Sequence, residues 1–252
     1  MAVLIHIKLK ALHKIIIDHT GRKEYNVMDH IGLRILKGVI SITHKFESLE
    51  EEKKNRILNA AFKVFAENSY EQASTNAVVK EAQIGKGMLF YYFKNKKALY
   101  RYLVEYSFDF IKEKYLVHID GEERDLIERF RKTTIIKMQA FREFPHVFNF
   151  IGNVLVNGEE QLPEGLKPKY IELQRQGFAK LYENIDYSLF RDDIDREKAF
   201  QLIQWSIDGY QEHIKAKLKD ENITTLNMDK YWEEFNEYLE VLRTSFYKKG
   251  VI

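Results

Sequence analysis

Only three prolines, at 145, 163 and 168, interrupt a chain of 252 residues. Proline removes a backbone donor and fixes φ, and glycine loosens the backbone, so clusters of the two mark where helices stop. Twelve glycines are the rest of the punctuation, and the stretches between are dense in Glu, Lys, Leu, Ile and Phe. Such stretches favour helix, and the chain reads as all-α. With 45% hydrophobic residues it has material for a real core, enough for one large domain or two small ones. No internal repeat and no low-complexity tract is present.

Apolar periodicity places the helices. A first helix is expected over 49–68, with Ser48 as N-cap, Glu50 to Glu52 in the first turn, and a stripe of Ile57, Leu58, Ala61, Phe62 and Phe65. A short helix over 76–82, capped by Ser74 or Thr75, meets a break at Gln83-Ile84-Gly85. A third runs over 86–93, with Leu89 and Phe93 facing the core, and a fourth over 97–115. Five more are expected near 122–143, 146–156, 169–187, 195–220 and 228–248, with a loop at Asn157-Gly158 and the two later prolines. The last two carry the stripes Phe200, Ile203, Ile207, Tyr210, Ile214 and Trp232, Phe235, Leu239, Leu242, Phe246. Such a pair can meet its mate in a four-helix dimer interface.

Residues 75–97 carry the most information about function. Two short helices flank a tight glycine-containing turn, and the second holds four aromatics in a row, Phe90, Tyr91, Tyr92 and Phe93. Between Lys86 and Arg101 there are five basic residues and no acid, inside a chain whose net charge is only +2. That pattern fits a helix-turn-helix entering the DNA major groove on a local positive patch. Lys86 is placed to reach a guanine edge or a phosphate, and Gly87 lets backbone approach the groove floor. Met88 and Phe90 can touch thymine methyls. Tyr91 and Tyr92 can donate to phosphates, as can the N-terminus of the helix begun by Thr75.

The order Thr75, Val78, Val79, Ala82, Ile84, Gly85, Gly87, Leu89, Phe90, Tyr92, Phe93, Lys96, Leu99 resembles the TetR/AcrR family of bacterial repressors. The resemblance covers some 50 residues, the first helix included. It departs at Gln83, where the family usually has Gly, and at Phe90, where it usually has Tyr. Gln83 then needs a positive φ or a reshaped turn. The resemblance implies an N-terminal three-helix helix-turn-helix DNA-binding domain over 47–111 and a larger C-terminal helical ligand-binding and dimerisation domain over 112–252. It implies DNA contacts from Thr75, Asn76, Lys86, Gly87, Phe90, Tyr91, Tyr92 and Lys96, with Met88 added by the reading of the groove. The implied protein is a cytoplasmic homodimer that represses from a palindromic operator and answers to an apolar or amphipathic small molecule. Arg142, His146 and Asn149 near the Pro145 kink, together with Trp205, are candidate ligand residues. The contrasting reading is a helical small-molecule-binding protein whose DNA-reading head no longer functions.

Other chemistries find little footing. The chain has no cysteine, hence no disulfide, thiolate nucleophile or Cys-based zinc site. No P-loop, HExxH or GxSxG occurs, so neither an enzyme nor a cofactor is expected. Gln211-Glu212-His213 holds a single histidine and reads as a polar helix face. No run of 18 apolar residues exists, and no membrane partner is expected.

Residues 1–46 stand apart, with eight basic residues against three acids and five of the eight histidines. The histidine spacings do not suit paired metal ligands, and Lys8, Lys10 and Lys14 break any secretory signal core. Ile5 to Lys10 alternates as a strand would. Three readings stay open: an arm adding phosphate or minor-groove contacts, an amphipathic surface anchor, and an extension from an early start codon, with Met28 a later start.

Overall fold

The computed structural model describes residues 45–156, 162–218 and 227–250. The readings placed on 1–44, the Asn157-Gly158 turn and the expected end of a helix at 220 lie outside these. The described residues form nine α-helices and no strand, with one isolated antiparallel bridge between Phe190 and Tyr247. They divide into two compact units, the first ending at Val104 and the second beginning at Glu105. The all-α expectation holds.

In the first unit, α1 (Glu51–Glu67) buries the expected stripe together with Ala60, Val64 and Ala66. Its start differs from expectation. Glu50 is the N-cap without a side-chain bond, and the Ser48 hydroxyl donates instead to the Lys45 carbonyl at 3.0 Å. Ser48 lies two residues too early: a cap must directly precede the first helical residue to reach the open amides. At the other end, the Asn68 side-chain amide donates to the Val64 carbonyl at 2.9 Å. α2 (Thr75–Glu81) packs on α1, capped by Ser74, whose hydroxyl accepts the Asn76 N–H. α3 (Lys86–Tyr92) follows, and α4 (Lys96–Lys114) begins in this unit behind an Asn95 side chain that accepts the Ala98 N–H at 2.8 Å.

Phe46, the last residue of the stretch read as an extension, is fully buried. Its ring meets those of Tyr92, Phe93 and Tyr102 at centroid distances of 5.7, 4.7 and 5.4 Å. Edge and tilted aromatic contacts of this kind add to simple area burial. The core of this unit therefore reaches back before α1.

The second unit holds α5 (Leu126–Glu143), α6 (Pro145–Val156), α7 (Lys167–Tyr182), α8 (Arg196–Leu218) and α9 (Met228–Phe246). α5 starts later than expected because Asp125 caps it, accepting the Glu128 N–H at 3.0 Å. α7 stops at Tyr182, short of the expected Tyr187, and Asn184 just beyond takes a positive φ of 59°. Buried Arg129 secures this corner. Its guanidinium donates to the carbonyls of Gly121, Glu123, Lys180 and Glu183 at 3.1, 2.6, 3.2 and 2.6 Å. A cation at the C-terminal carbonyls of α7 favours the helix dipole and satisfies acceptors that helix geometry leaves open. α9 ends at Phe246, and the Tyr247 hydroxyl donates to the Asp125 carboxylate at 3.0 Å, joining the end of α9 to the start of α5.

Candidate nucleic-acid interface

The turn between α2 and α3 is built around Gln83. Ala82 still donates to the Val78 carbonyl, Gln83 donates to Lys80 at 3.2 Å and Ile84 to Val79 at 3.1 Å, and Gln83 itself sits at φ +52°. The first of the two options open to a non-glycine residue here, a positive φ, is the one taken. Gly85 then returns to extended backbone and caps α3.

Helical periodicity divides α3 into two faces. Leu89, Tyr92 and the following Phe93 are buried, as expected for Leu89 and Phe93. Lys86, Gly87 and Tyr91 are exposed, Tyr91 at 56%, with Met88 and Phe90 half-buried between. Tyr92, grouped above with the phosphate donors, belongs to the Phe46 cluster, which takes its ring off the exposed face. Gly87 has no internal reason to be glycine: a Cβ there would meet nothing within 4 Å, and its backbone is not left-handed.

Two lysines of this unit are paired with acids. Lys63 pairs with Glu81 at 2.7 Å, and Lys54 with Glu51 and Glu47 at 3.0 and 3.4 Å. Lys45, Lys86 and Lys94 have no carboxylate partner among the described residues. The Lys45 ammonium lies 4.5 Å from the centroid of the exposed Tyr91 ring, a cation–π contact the sequence reading did not anticipate. Lys96 is held inside the fold, donating to the Glu71 carbonyl at 3.1 Å and lying 4.8 Å from the Tyr70 ring centroid. Thr75 is half-buried at the start of α2, and Asn76 beside it is exposed with its amide taken by Ser74.

An exposed, basic and aromatic helix after a tight turn is what a groove-reading element requires. The sequence description of bacterial regulatory proteins of the tetR family matches residues 57–103, which hold most of α1, the turn, and α3 into α4. Residues 57–103 are thus a helix-turn-helix region of the tetR type. The HTH-type transcriptional regulator YuxN of Bacillus subtilis is 36% identical over 59 residues, 23% of this chain and 20% of YuxN, so the match spans a fifth of that relative. IcaR of Staphylococcus aureus, the negative transcriptional regulator of the biofilm operon icaADBC, is 22% identical over 195 residues, 69% of this chain and 97% of IcaR. A TetR-family regulator from Chloroflexus aurantiacus shares the fold at a TM-score of 0.53 and 19% identity, over 82% of this chain and 99% of that one. Both of these relatives are HTH-type transcriptional regulators.

The ligand candidates do not converge. Arg142 is exposed and paired with Asp229 at 2.8 Å. His146 is half-buried, Asn149 is buried with its side-chain oxygen unpartnered, and Trp205 is 63% exposed on α8. None of the four lines the chamber that lies within the second unit. That chamber is walled by Tyr115, Phe130, Lys137, Gln211, Trp232 and Phe235 among others. Gln211, read above as part of a polar helix face, is buried there. Lys137 and Gln211 gave no motif signal, because a single Lys on α5 and a single Gln on α8 meet only in the packed structure. No described helix is long and apolar enough to cross a membrane, and no described cluster of His, Asp or Glu could hold a metal ion.

Proposed function

We propose that the chain is a homodimeric repressor that reads an inverted-repeat operator through α3 and is governed by a small molecule bound in its second unit. The observation that carries the reading is the exposed face of α3 with its neighbours. Three lysines without carboxylates, an outward Tyr91 and a glycine at 87 that the fold does not need are what phosphate contact and close backbone approach call for. Lys86 and Gly87 face the groove, Tyr91, Lys45 and Lys94 meet phosphates, and Met88, Phe90, Thr75 and Asn76 lie at the edges. Lys96 acts from within, setting the start of α4. Repression is favoured by the likeness to IcaR, a negative regulator matched along most of this chain.

Dimerisation is assigned to the outer face of α8 and α9. The stripes read from the sequence are used within the protomer: Ile203, Ile207, Ile214, Trp232 and Leu239 are all buried. Leu202, Trp205, Tyr238 and Val241 remain exposed on the same two helices, and Gly209 between them would meet nothing with an added Cβ. A second copy is the occupant, since a two-fold axis lets one patch cover itself and sets two α3 helices on one palindrome. Those helices must stand about 34–36 Å apart, or a whole-turn multiple, to enter successive major grooves. A ligand controls binding only as far as it favours one spacing over another.

Selection of random duplex DNA by the purified full-length protein at about 0.15 M salt tests the reading. An enriched inverted repeat is the expected result. Failure to enrich any sequence, from protein shown to be folded and dimeric, would overturn it.

A further inference from the structure

Lys137 is 5% exposed on α5, and among the described residues its ammonium has neither a carboxylate nor a hydrogen-bond partner. The rings of Tyr115 and Trp232 lie near it, with centroids at 5.9 and 5.8 Å from the ammonium. A buried charge without a counter-ion is costly, and aromatic faces offset only part of that cost. In the lining of the same chamber the Gln211 side-chain oxygen is buried with no donor. The lining thus carries one unmatched cation and one unmatched acceptor, while the rest of it is largely apolar and aromatic. The cavity itself is about 40 Å³, room for a carboxylate head, and it opens to solvent.

We infer that this chamber is a binding site for a monocarboxylic acid with an apolar tail, its carboxylate held by the Lys137 ammonium. The inference rests on the ligand-governed reading above and names the chemical class of that ligand. Gln211 accepts a hydrogen bond from a hydroxyl or amide of the acid where it carries one. A carboxylate fits better than a phosphate group: one lysine matches one charge, no arginine fork lines the chamber, and a dianion would leave half its charge buried without a partner. Burial pushes the Lys137 ammonium down to about 7, so a bound carboxylate would hold a proton that the empty site readily loses. The other titratable groups around it are the phenols of Tyr115, Tyr210 and Tyr231, with Glu234 accepting from Tyr210 and Lys217 lying over the Tyr231 ring. Burial raises Tyr115 and Tyr210, which stay neutral near pH 7.

The test uses hexanoate and 1-hexanol as probes on the full chain. Trp205 and Trp232 are the two tryptophans, so Trp205→Phe leaves the chamber's Trp232 as the reporter. Hexanoate is expected to bind at least about tenfold more tightly than 1-hexanol at pH 7, and Lys137→Met to reverse that order. In the protein that keeps Lys137, hexanoate affinity is expected to fall toward tenfold per unit as pH rises above about 7, while 1-hexanol affinity stays level. Equal binding of the two probes, an unchanged preference in Lys137→Met, or a flat pH profile for hexanoate would each overturn the inference, and the pH profile needs no variant at position 137. An enriched operator with no hexanoate binding would remove this inference alone. Hexanoate held by Lys137 with no enriched operator would remove the repressor reading and leave the acid site standing.

Discussion

The Arg56 side chain donates its Nε–H to the Ala82 carbonyl at 3.0 Å, so α1 grips the residue directly before the left-handed Gln83. The bond ties the first helix to the turn that sets the angle between α2 and α3. Arg56→Ala is expected to cost about 1 kcal/mol of local stability, the usual size of a partly exposed charge-assisted bond. Amide hydrogen exchange across α2 and α3 should quicken accordingly. Unchanged exchange there would show that the bond does not hold the turn.

Gln83 occupies a conformation that a side chain resists. Gln83→Gly should stabilise the first unit by about 1 kcal/mol, because glycine reaches positive φ without the Cβ clash. Gln83→Ala should bring no such gain, since alanine keeps the Cβ. Urea unfolding of the two variants side by side reads the difference, and equal midpoints would refute the strain.

Gly87 separates folding from DNA binding. The fold leaves room for a Cβ, and alanine is the better helix former, so Gly87→Ala should leave stability unchanged or raise it by about 0.5–1 kcal/mol. If the backbone at 87 approaches the groove, the same change should weaken operator binding about tenfold or more, a loss of order 1–3 kcal/mol. A variant that folds better and binds equally well would place α3 differently on the DNA.

Lys45 and Lys94 should differ from Lys54 and Lys63 in salt response. Each phosphate contact adds about 0.9 to the slope of log affinity against log salt. Removing Lys45 or Lys94, placed on phosphates, is expected to flatten that slope by about one contact, and removing the groove-facing Lys86 to weaken binding chiefly at its own base, whereas Lys63→Ala, which breaks the Glu81 pair, should leave the slope alone. Titrations at several salt concentrations on the selected operator would decide, and a uniform effect of all five would mean that the bound surface extends over α1.

The buried Lys137 also makes the second unit's stability depend on pH. Its folded value of about 7 lies below the ordinary lysine value of 10.5, so between the two the unfolded chain binds more protons than the folded one. Stability therefore rises with pH across that window, by an amount on the order of a few kcal/mol if the whole window is traversed. Lys137→Met should be more stable than the parent at pH 6.5 and lose the dependence. Denaturant unfolding between pH 6.5 and 9.5 measures it, and parallel curves for parent and variant would mean that the ammonium is solvated.

Val241 tests the proposed dimer face. Val241→Glu places a charge in a patch shared with Leu202, Trp205 and Tyr238 and should yield folded monomer by sedimentation, with operator affinity lost alongside. A dimer that survives the change would move the interface elsewhere.

Much of this protein was legible in its sequence because helices are written locally. Sparse proline, the 3.6-residue stripe of α1 and the Ser74 cap depend on residues within a turn or two of each other. The same holds for the break at Gln83 and the aromatic run of α3, and these were enough to announce a helix-turn-helix. What only the tertiary structure decided involves partners far apart in the chain. Phe46 joins the core because Tyr92, Phe93 and Tyr102 close over it. Lys96 turns inward to the Glu71 carbonyl while Lys86 finds no acid, although the two look alike in the sequence. Periodicity located apolar faces on α8 and α9 without telling which would be spent inside the protomer and which left outside. Burial and pairing are sums over neighbours from several helices. Lys137 and Gln211 line one chamber only after four helices have packed.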